Sequence, residues 1–287
     1  MFRTLLFIPG NNKRFIEKAR SLNADIICFD LEDSVPLNEK QTARDFVSEA
    51  LGKKEDYDNR NVYVRINSYE SGIAIQDLDA IVSDEIDGVV VPKVNNENEV
   101  SHLVRRLIEL ERQNAMSKKM GIMASIESAQ GLVNSYSIAS ADLRVKMLVF
   151  GVFDFLNDMG LDYVQDGIEY SFARAKIPID ARAAGIGAID AIWQEVGDIE
   201  GLVRDARTAK RLGYQGKCVI HPNQLEPVAN VFFPSNNEIE WARKVVHALE
   251  ETMEKGKGIG AVTVDGKMVD AAHYRQAKSV LDSLNFK

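Results

Sequence analysis

The chain has little cysteine and little histidine: 2 of the first and 4 of the second in 287 residues. Cys28 and Cys218 each sit in an apolar run, which reads as small buried thiols in a reducing compartment, and nothing points to a disulfide between them. Neither has a neighbouring histidine to activate it, although Lys217 precedes Cys218. Four histidines without paired spacing make a zinc site improbable. Positive charge is also in deficit, with a formal net charge of -8, which argues against a nucleic-acid binder. That deficit does not exclude a small anionic ligand, because such a ligand responds to local charge and not to the sum. Long apolar runs are missing too. The N-terminal "MFRTLLFIPG" is too short in its apolar core for a signal peptide, and no run approaches a membrane span, so the expectation is a cytoplasmic protein with no membrane partner. There is no GxGxxG turn, no Walker A loop and no G-x-S-x-G elbow.

What is present is ordinary in composition, 45% hydrophobic and 27% charged, and suits one large α/β domain with an extension or two smaller domains. The chain repeats one phrase. A short apolar run rich in β-branched residues ends in a polar, Gly or Pro residue, and an amphipathic helical segment follows. The runs are "TLLFIPG", "DIICFDLED", "NVYVRIN", "DGVVVPK", "MGIMASIES", "VKMLVFGVFD", "GIGAID" and "GKCVIHP". Continuous apolar strands alternating with helices are what a parallel sheet buried on both faces requires. Eight units predict a closed (β/α)₈ TIM barrel, with "GIGAID" as the weakest of the eight and a doubly wound open sheet as the alternative. Gly213 in "RLGYQGK" sits where a helix should stop. The spacing Ser235 to Glu238 resembles a capping box opening a long helix to about Lys255. The expected division is a catalytic barrel over residues 1–234 and a C-terminal extension over 235–287, a glycine-rich run and a last helix from Ala271 included. The extension reads as an appendage, such as an arm on a neighbouring subunit.

Chemistry in such a barrel gathers at the C-terminal ends of the strands. Those ends read Pro9-Gly10-Asn11, Asp30/Glu32/Asp33, Arg65 and Asn67, Pro92-Lys93, Glu127, Asp154, Asp190 and His221-Pro222. The collection is acidic, with an arginine and a lysine set into it. Separated carboxylates around one mouth suit a hard divalent cation such as Mg²⁺, which would also relieve the repulsion among Asp30, Glu32 and Asp33. Plainer readings stand beside these. Glu127 reads equally as a first-turn glutamate complementing a helix dipole, Asp154 as a helix N-cap, and Arg65 as a rim salt bridge. His221 reads as a packed loop residue, and Asp270 as the N-cap of the last helix.

The motifs "RTLLFIPGNNKRFIEKA", "DIICFDLEDSVPLNEKQTAR", "VRIN", "VVVPK", "SIESAQG", "FGVFDF", "GYQGKCVIHPNQ", "FFPS" and "DGKMVD" follow one another along nearly the whole chain. Together they resemble the citrate lyase β-subunit-like branch of the HpcH/HpaI aldolase family, which includes malyl-CoA and citramalyl-CoA lyases. The resemblance implies a TIM barrel, usually a homotrimer or a dimer of trimers, that binds Mg²⁺ and makes or breaks a carbon–carbon bond between an acetyl thioester and a 2-oxoacid. Carried over position by position, Glu127 and Asp154 would be the metal ligands. Arg65 would hold a substrate oxygen, and Asp270 would reach a neighbouring subunit's site for acid/base work. Glu32 and Asp33 would orient metal-bound waters, while Asp30 anchors its loop. The "FIPGNNKR" loop and the "IHPNQ" segment with Pro222 would border the CoA, with Arg14 and Lys13 as phosphate contacts. The resemblance leaves other outcomes open: a citryl-thioester lyase subunit with an acyl-carrier partner, a malyl-CoA thioesterase, or a CoA-binding subunit without turnover. It does not choose among glyoxylate, pyruvate and oxaloacetate as the oxoacid.

Overall fold

The computed structural model describes residues 2–57, 60–165, 167–254 and 260–284. Its main unit, residues 2–232, is a closed barrel of eight parallel strands in sequence order. The strands are β1 Thr4–Pro9, β2 Ile26–Asp30, β3 Asn61–Arg65, β4 Gly88–Val91, β5 Gly121–Ile126, β6 Val145–Phe150, β7 Gly187–Asp190 and β8 Gly216–Val219. The first seven crossovers carry α1 Lys13–Ala19, α2 Lys40–Leu51, α3 Ala74–Ile81, α4 Glu97–Gln113, α5 Ala129–Val133, α6 Ser135–Ser140, α7 Val152–Met159, α8 Ser171–Ala183 and α9 Ile199–Leu212, and α10 Leu225–Phe232 follows β8. The TIM-barrel expectation therefore holds, "GIGAID" included. Hydrogen bonds between β1 and β8 close the ring.

Two cores follow from the period of two along each strand. Leu5, Ile26, Cys28, Tyr63, Val90, Met123, Met147, Val149, Ile189 and Cys218 fill the lumen. Their neighbours one position away, such as Leu6, Ile27, Val62, Val64 and Ala188, pack outward against the helices. Helix α4 shows how the second core is built. Asn96 caps it by accepting from the N–H groups of Asn98 and Glu99, and Val100, Leu103, Val104, Leu107 and Leu110 recur on its buried face. Helix α9 stops at Gly213, whose φ of 104° is the left-handed conformation that glycine adopts without strain.

The same period decides which polar strand ends reach the mouth. Ile189 faces the lumen, so Asp190 faces the helices. There it accepts from Arg174 Nε and Nη2 of α8, at 2.9 and 2.7 Å, and from Lys217 Nζ of β8 at 2.6 Å. Asp205 of α9 completes the group, 2.7 Å from Arg174 and 2.5 Å from Lys217. Asp190 is thus not one of the mouth residues, a correction to the expectation from its place at a strand end. Asn67 is turned away likewise, its amide donating to Leu31 O and Asp77 Oδ2.

The second unit, from residue 233, holds α11 Asn236–Glu254, a hairpin of β9 Val262–Val264 and β10 Lys267–Val269, and α12 Ala271–Ser283. The capping box at its start is present: Ser235 N donates to Glu238 Oε2 at 2.7 Å and Glu238 N to Ser235 Oγ at 3.2 Å. Residues 255–259, which include the expected helix end at Lys255 and the start of the glycine-rich run, lie outside the described residues. Ala242, Val245, Val246, Leu249, Val264, Val269 and Ala277 form this unit's own core. No helix among the described residues is long and apolar enough to cross a membrane.

The buried quartet yields a stability test. Lys217→Met leaves Asp190 and Asp205 facing one cation between them, and removing one partner of a buried ion pair costs about 3–5 kcal/mol. Urea unfolding of the variant should show a loss of that order. A loss below about 1 kcal/mol would mean that the quartet is dispensable.

Candidate active site

The lumen alternation continues upward to the C-terminal ends of the strands. Cys28 faces inward, and so does Asp30; Tyr63 faces inward, and so does Arg65. Ser125 and Glu127 follow Met123 by the same rule, and Phe7 follows Leu5. The pairing of β2 with β3 sets Asp30 directly beside Arg65. Arg65 Nε and Nη2 donate to Asp30 Oδ1 and Oδ2, both at 2.6 Å. Asp30 also accepts from the backbone N–H groups of Glu32 and Ser34, at 2.9 and 3.1 Å, which fixes the loop after β2. Burial works against its charge, but the charge and hydrogen bonds of Arg65, with those of Ser34 and Glu32, hold its pKa below the ordinary carboxylate value.

That loop presents Glu32 and Asp33. Glu32 Oε2 lies 3.2 Å from Arg65 Nη1, and Glu32 Oε1 accepts from Lys93 Nζ at 3.0 Å. Burial, with Asp33 adding to it, raises the Glu32 pKa despite Arg65 and Lys93. Lys93 also stands 3.4 Å from Asp154 Oδ1 and 3.7 Å from Asp33 Oδ1. The guanidinium of Arg65 lies 4.7 Å from the centre of the Phe7 ring.

Glu127 is the least compensated member. It is 6% exposed, and its Oε2 is buried without a hydrogen-bond partner. Burial comes first, Glu32 and Asp154 add to it, Arg65 and Lys93 relieve only part, and the pKa is pushed up to about 8. Its place depends on Gly151, where a Cβ would fall 2.4 Å from Glu127 Cγ. Gly151 is also the N-cap of α7 and supplies no side-chain cap. Asp154 lies in the first turn of that helix and does not cap it, so the N-cap reading of Asp154 falls. Glu127 precedes Ser128, the N-cap of α5, so the first-turn reading of Glu127 falls as well.

Asp30, Asp33, Arg65, Glu127 and Asp154 line one cavity of about 410 Å³, walled elsewhere by Phe7, Val149, Phe153, Ile192, Cys218 and Ile220. Its oxygen donors and the orphaned Glu127 oxygen fit a hard divalent cation. Among the described residues no three acidic, histidine or cysteine side chains form a preformed cage.

Among the barrel's remaining expected residues, Lys13, Arg14 and Pro222 do not line this cavity. Lys13 is paired with Glu49 at 3.0 Å, and Arg14 beside it is exposed. Pro222 opens a short turn after β8, capped by His221 Nδ1, which accepts from Asn223 N at 3.2 Å. The loops of Lys13 and Pro222 follow paired strands, β1 and β8. Asp270, in the second unit, caps α12. Its Oδ1 accepts from Ala272 N at 2.9 Å and lies 2.8 Å from His273 Nδ1, and these bonds lower its pKa. Lys93 was placed at the mouth by the sequence but given no role there. Its one signal was its place after Pro92 at the end of β4; its φ of 56°, rare for a residue other than glycine, is visible only in the structure.

The sequence matches the HpcH/HpaI aldolase/citrate lyase family over residues 3–222, and the chain belongs to that family. It is 37% identical over 286 residues to a citrate lyase subunit beta from Leuconostoc mesenteroides subsp. cremoris, covering 99% of this chain and 93% of that one. It is 35% identical over 280 residues to a (3S)-malyl-CoA thioesterase from Cereibacter sphaeroides, covering 98% and 93%. Among solved structures, the CitE protein of Mycobacterium tuberculosis in complex with magnesium, acetoacetate and coenzyme A is 26% identical, with a TM-score of 0.78 over 99% of this chain and 98% of that one.

The state of Glu127 has a measurable consequence. With chelator present, the folded protein keeps the Glu127 proton up to about pH 8, whereas the ordinary value is 4.5. The folded state then binds more protons than the unfolded chain, so this residue's contribution to stability falls as pH rises through that window, by up to a few kcal/mol. Glu127→Gln should melt level with the parent near the bottom of the window and several degrees above it past pH 8. A melting difference that does not change with pH would contradict this.

Proposed function

We propose that the mouth makes and breaks a carbon–carbon bond between an acetyl thioester of CoA and a 2-oxoacid, as a Mg²⁺-dependent lyase. The observation that carries this reading is the buried, unpartnered oxygen of Glu127 in one cavity with Asp154, beneath an arginine held by Asp30. Family membership supports it, as do the lyase name of one relative and the magnesium, acetoacetate and coenzyme A of a structural neighbour.

Glu127 and Asp154 are the residues that would hold the metal. Magnesium, when bound, supplies Lewis-acid stabilisation of the oxoacid's oxygens. Arg65 sets fixed positive charge in the cavity wall, where it is worth more than in water, and Asp30 prevents it from swinging away. Glu32 and Asp33, presented by the loop that Asp30 fixes, orient water at the mouth. The acetyl methyl must lose a proton in synthesis and gain one in cleavage, and Asp270 of a neighbouring subunit takes that part. Its contacts with Ala272 and His273 all use Oδ1, which leaves Oδ2 for a proton. A homotrimer, or a dimer of trimers, is the assembly proposed, since Asp270 has to come from a neighbouring subunit. Lys13 and Arg14, after β1, and Pro222, after β8, are the contacts proposed for the CoA moiety, and the pairing of β1 with β8 supports this.

The relative named as a thioesterase favours a second reading, in which water attacks the thioester and no carbon–carbon bond is broken. Mass analysis separates the two. Purified protein with Mg²⁺, acetyl-CoA and each of glyoxylate, pyruvate and oxaloacetate should yield a 3-hydroxyacyl-CoA with at least one of them, and excess EDTA should abolish it. Release of free CoA with no oxoacid product from the 3-hydroxyacyl-CoA would establish hydrolysis instead. Co-purification of an acyl-carrier protein would move the substrate from CoA to the carrier.

Asp270→Asn keeps a good helix cap, so the fold should survive. Turnover should fall about 10²–10⁴-fold, the usual worth of a general acid or base, with Mg²⁺ and CoA binding unchanged. Turnover within a few-fold of the parent would remove Asp270 from the catalytic set.

A further inference from the structure

Lys93 has a position that neither the cavity walls nor the barrel's packing accounts for. It follows Pro92 at the end of β4 with φ 56°, one of only three non-glycine residues at positive φ among the described residues. The other two, Ala115 and Asp265, lie in a helix-end loop and a hairpin turn. A left-handed backbone at a lysine costs free energy and persists where the surroundings fix it. The lysine's ammonium meets three acids. The ammonium contacts Glu32 at 3.0 Å, Asp154 at 3.4 Å and Asp33 at 3.7 Å, which joins the loop after β2 to the first turn of α7. Its side chain is 31% exposed, against 6% for Glu32, so the ammonium is half-withdrawn from water and its charge is incompletely screened.

We infer that Lys93 is a positioning residue that acts as a built-in counter-ion: it holds Asp154, Glu32 and Asp33 at their spacing, and its charge weakens the mouth's hold on a divalent cation. The inference rests on the reading that the mouth takes Mg²⁺ at Glu127 and Asp154. The charge effect has a definite sign. A unit positive charge within ion-pair distance of Asp154 neutralises part of the field that would attract a cation there, and it repels the cation itself. A device of this kind keeps the acids apart without closing them into a tight cage.

The test is titration calorimetry of Mg²⁺ into the full-length protein without thioester or oxoacid. Lys93→Met keeps the side-chain length and the backbone cost and removes the charge; its Mg²⁺ dissociation constant should fall at least about 10-fold. Lys93→Arg keeps the charge and should stay within a few-fold of the parent. Lys93→Gly removes the charge and relieves the backbone, so it should also bind more tightly, and it serves if the Met variant fails to fold. An unchanged or weaker dissociation constant in the neutral variants would show that Lys93 is a strut only and overturn the counter-ion role. A parent protein that takes up no Mg²⁺ at all would remove the metal reading and this inference with it.

Discussion

The paired hydrogen bonds between Arg65 and Asp30 are the contact on which the mouth depends. The parallel register of β2 and β3 places the two residues side by side, and the strand period turns both into the lumen. Asp30 then spends its remaining acceptor capacity on the backbone of the next loop, so Glu32 and Asp33 take defined positions. Arg65 in turn reaches Glu32. Such a buried pair gives little net stability over an apolar replacement, but breaking one side is costly because a charge is stranded. Its value here is orientation. It fixes where positive charge sits in a cavity otherwise lined by carboxylates.

The acidic surplus is the other half of the design. Asp30 is satisfied; Glu32 and Glu127 each keep a buried oxygen without a hydrogen bond, but Glu32 has ion pairs to Arg65 and Lys93 and Glu127 has none among the described residues. A carboxyl buried beside like charges is a local violation of the rules that stabilise a fold, and such violations gather at functional sites. The barrel tolerates it because the strands that carry these groups are fixed by a continuous ladder and two apolar cores. The close approach of Glu127 to Gly151 shows how tightly the arrangement is set: any side chain at Gly151 would displace it.

Much of this was legible in the sequence. The eight apolar runs are the eight strands, and Gly213 and the Ser235–Glu238 spacing mark helix ends as expected. The acids Asp30, Asp33, Glu127 and Asp154, with Arg65, were also readable as one mouth, because they follow strands that point the same way. Asp190 was misread for a physical reason. A strand end alone does not say which face a residue takes, and its neighbour Ile189 already occupies the lumen face. The local readings of Glu127 and Asp154 failed by two and three positions, which is the usual uncertainty in placing a helix start from sequence. Lys93 was legible as a mouth residue but its contacts were not, since nothing in "VVVPK" reports a left-handed backbone or three acids from the loop after β2 and the first turn of α7. Asp270 caps its helix, as a plain reading had it, and the cap uses only Oδ1.

The central claim is that Glu127 and Asp154, drawn from two separate strand ends, are the groups that bind a divalent cation. Anomalous diffraction from crystals soaked in Mn²⁺, as a stand-in for Mg²⁺, tests it most directly. The account predicts one strong peak in the mouth within bonding distance of both carboxylates, with Asp30 still paired to Arg65. A peak on Asp30 or Asp33 with Glu127 out of contact would contradict it.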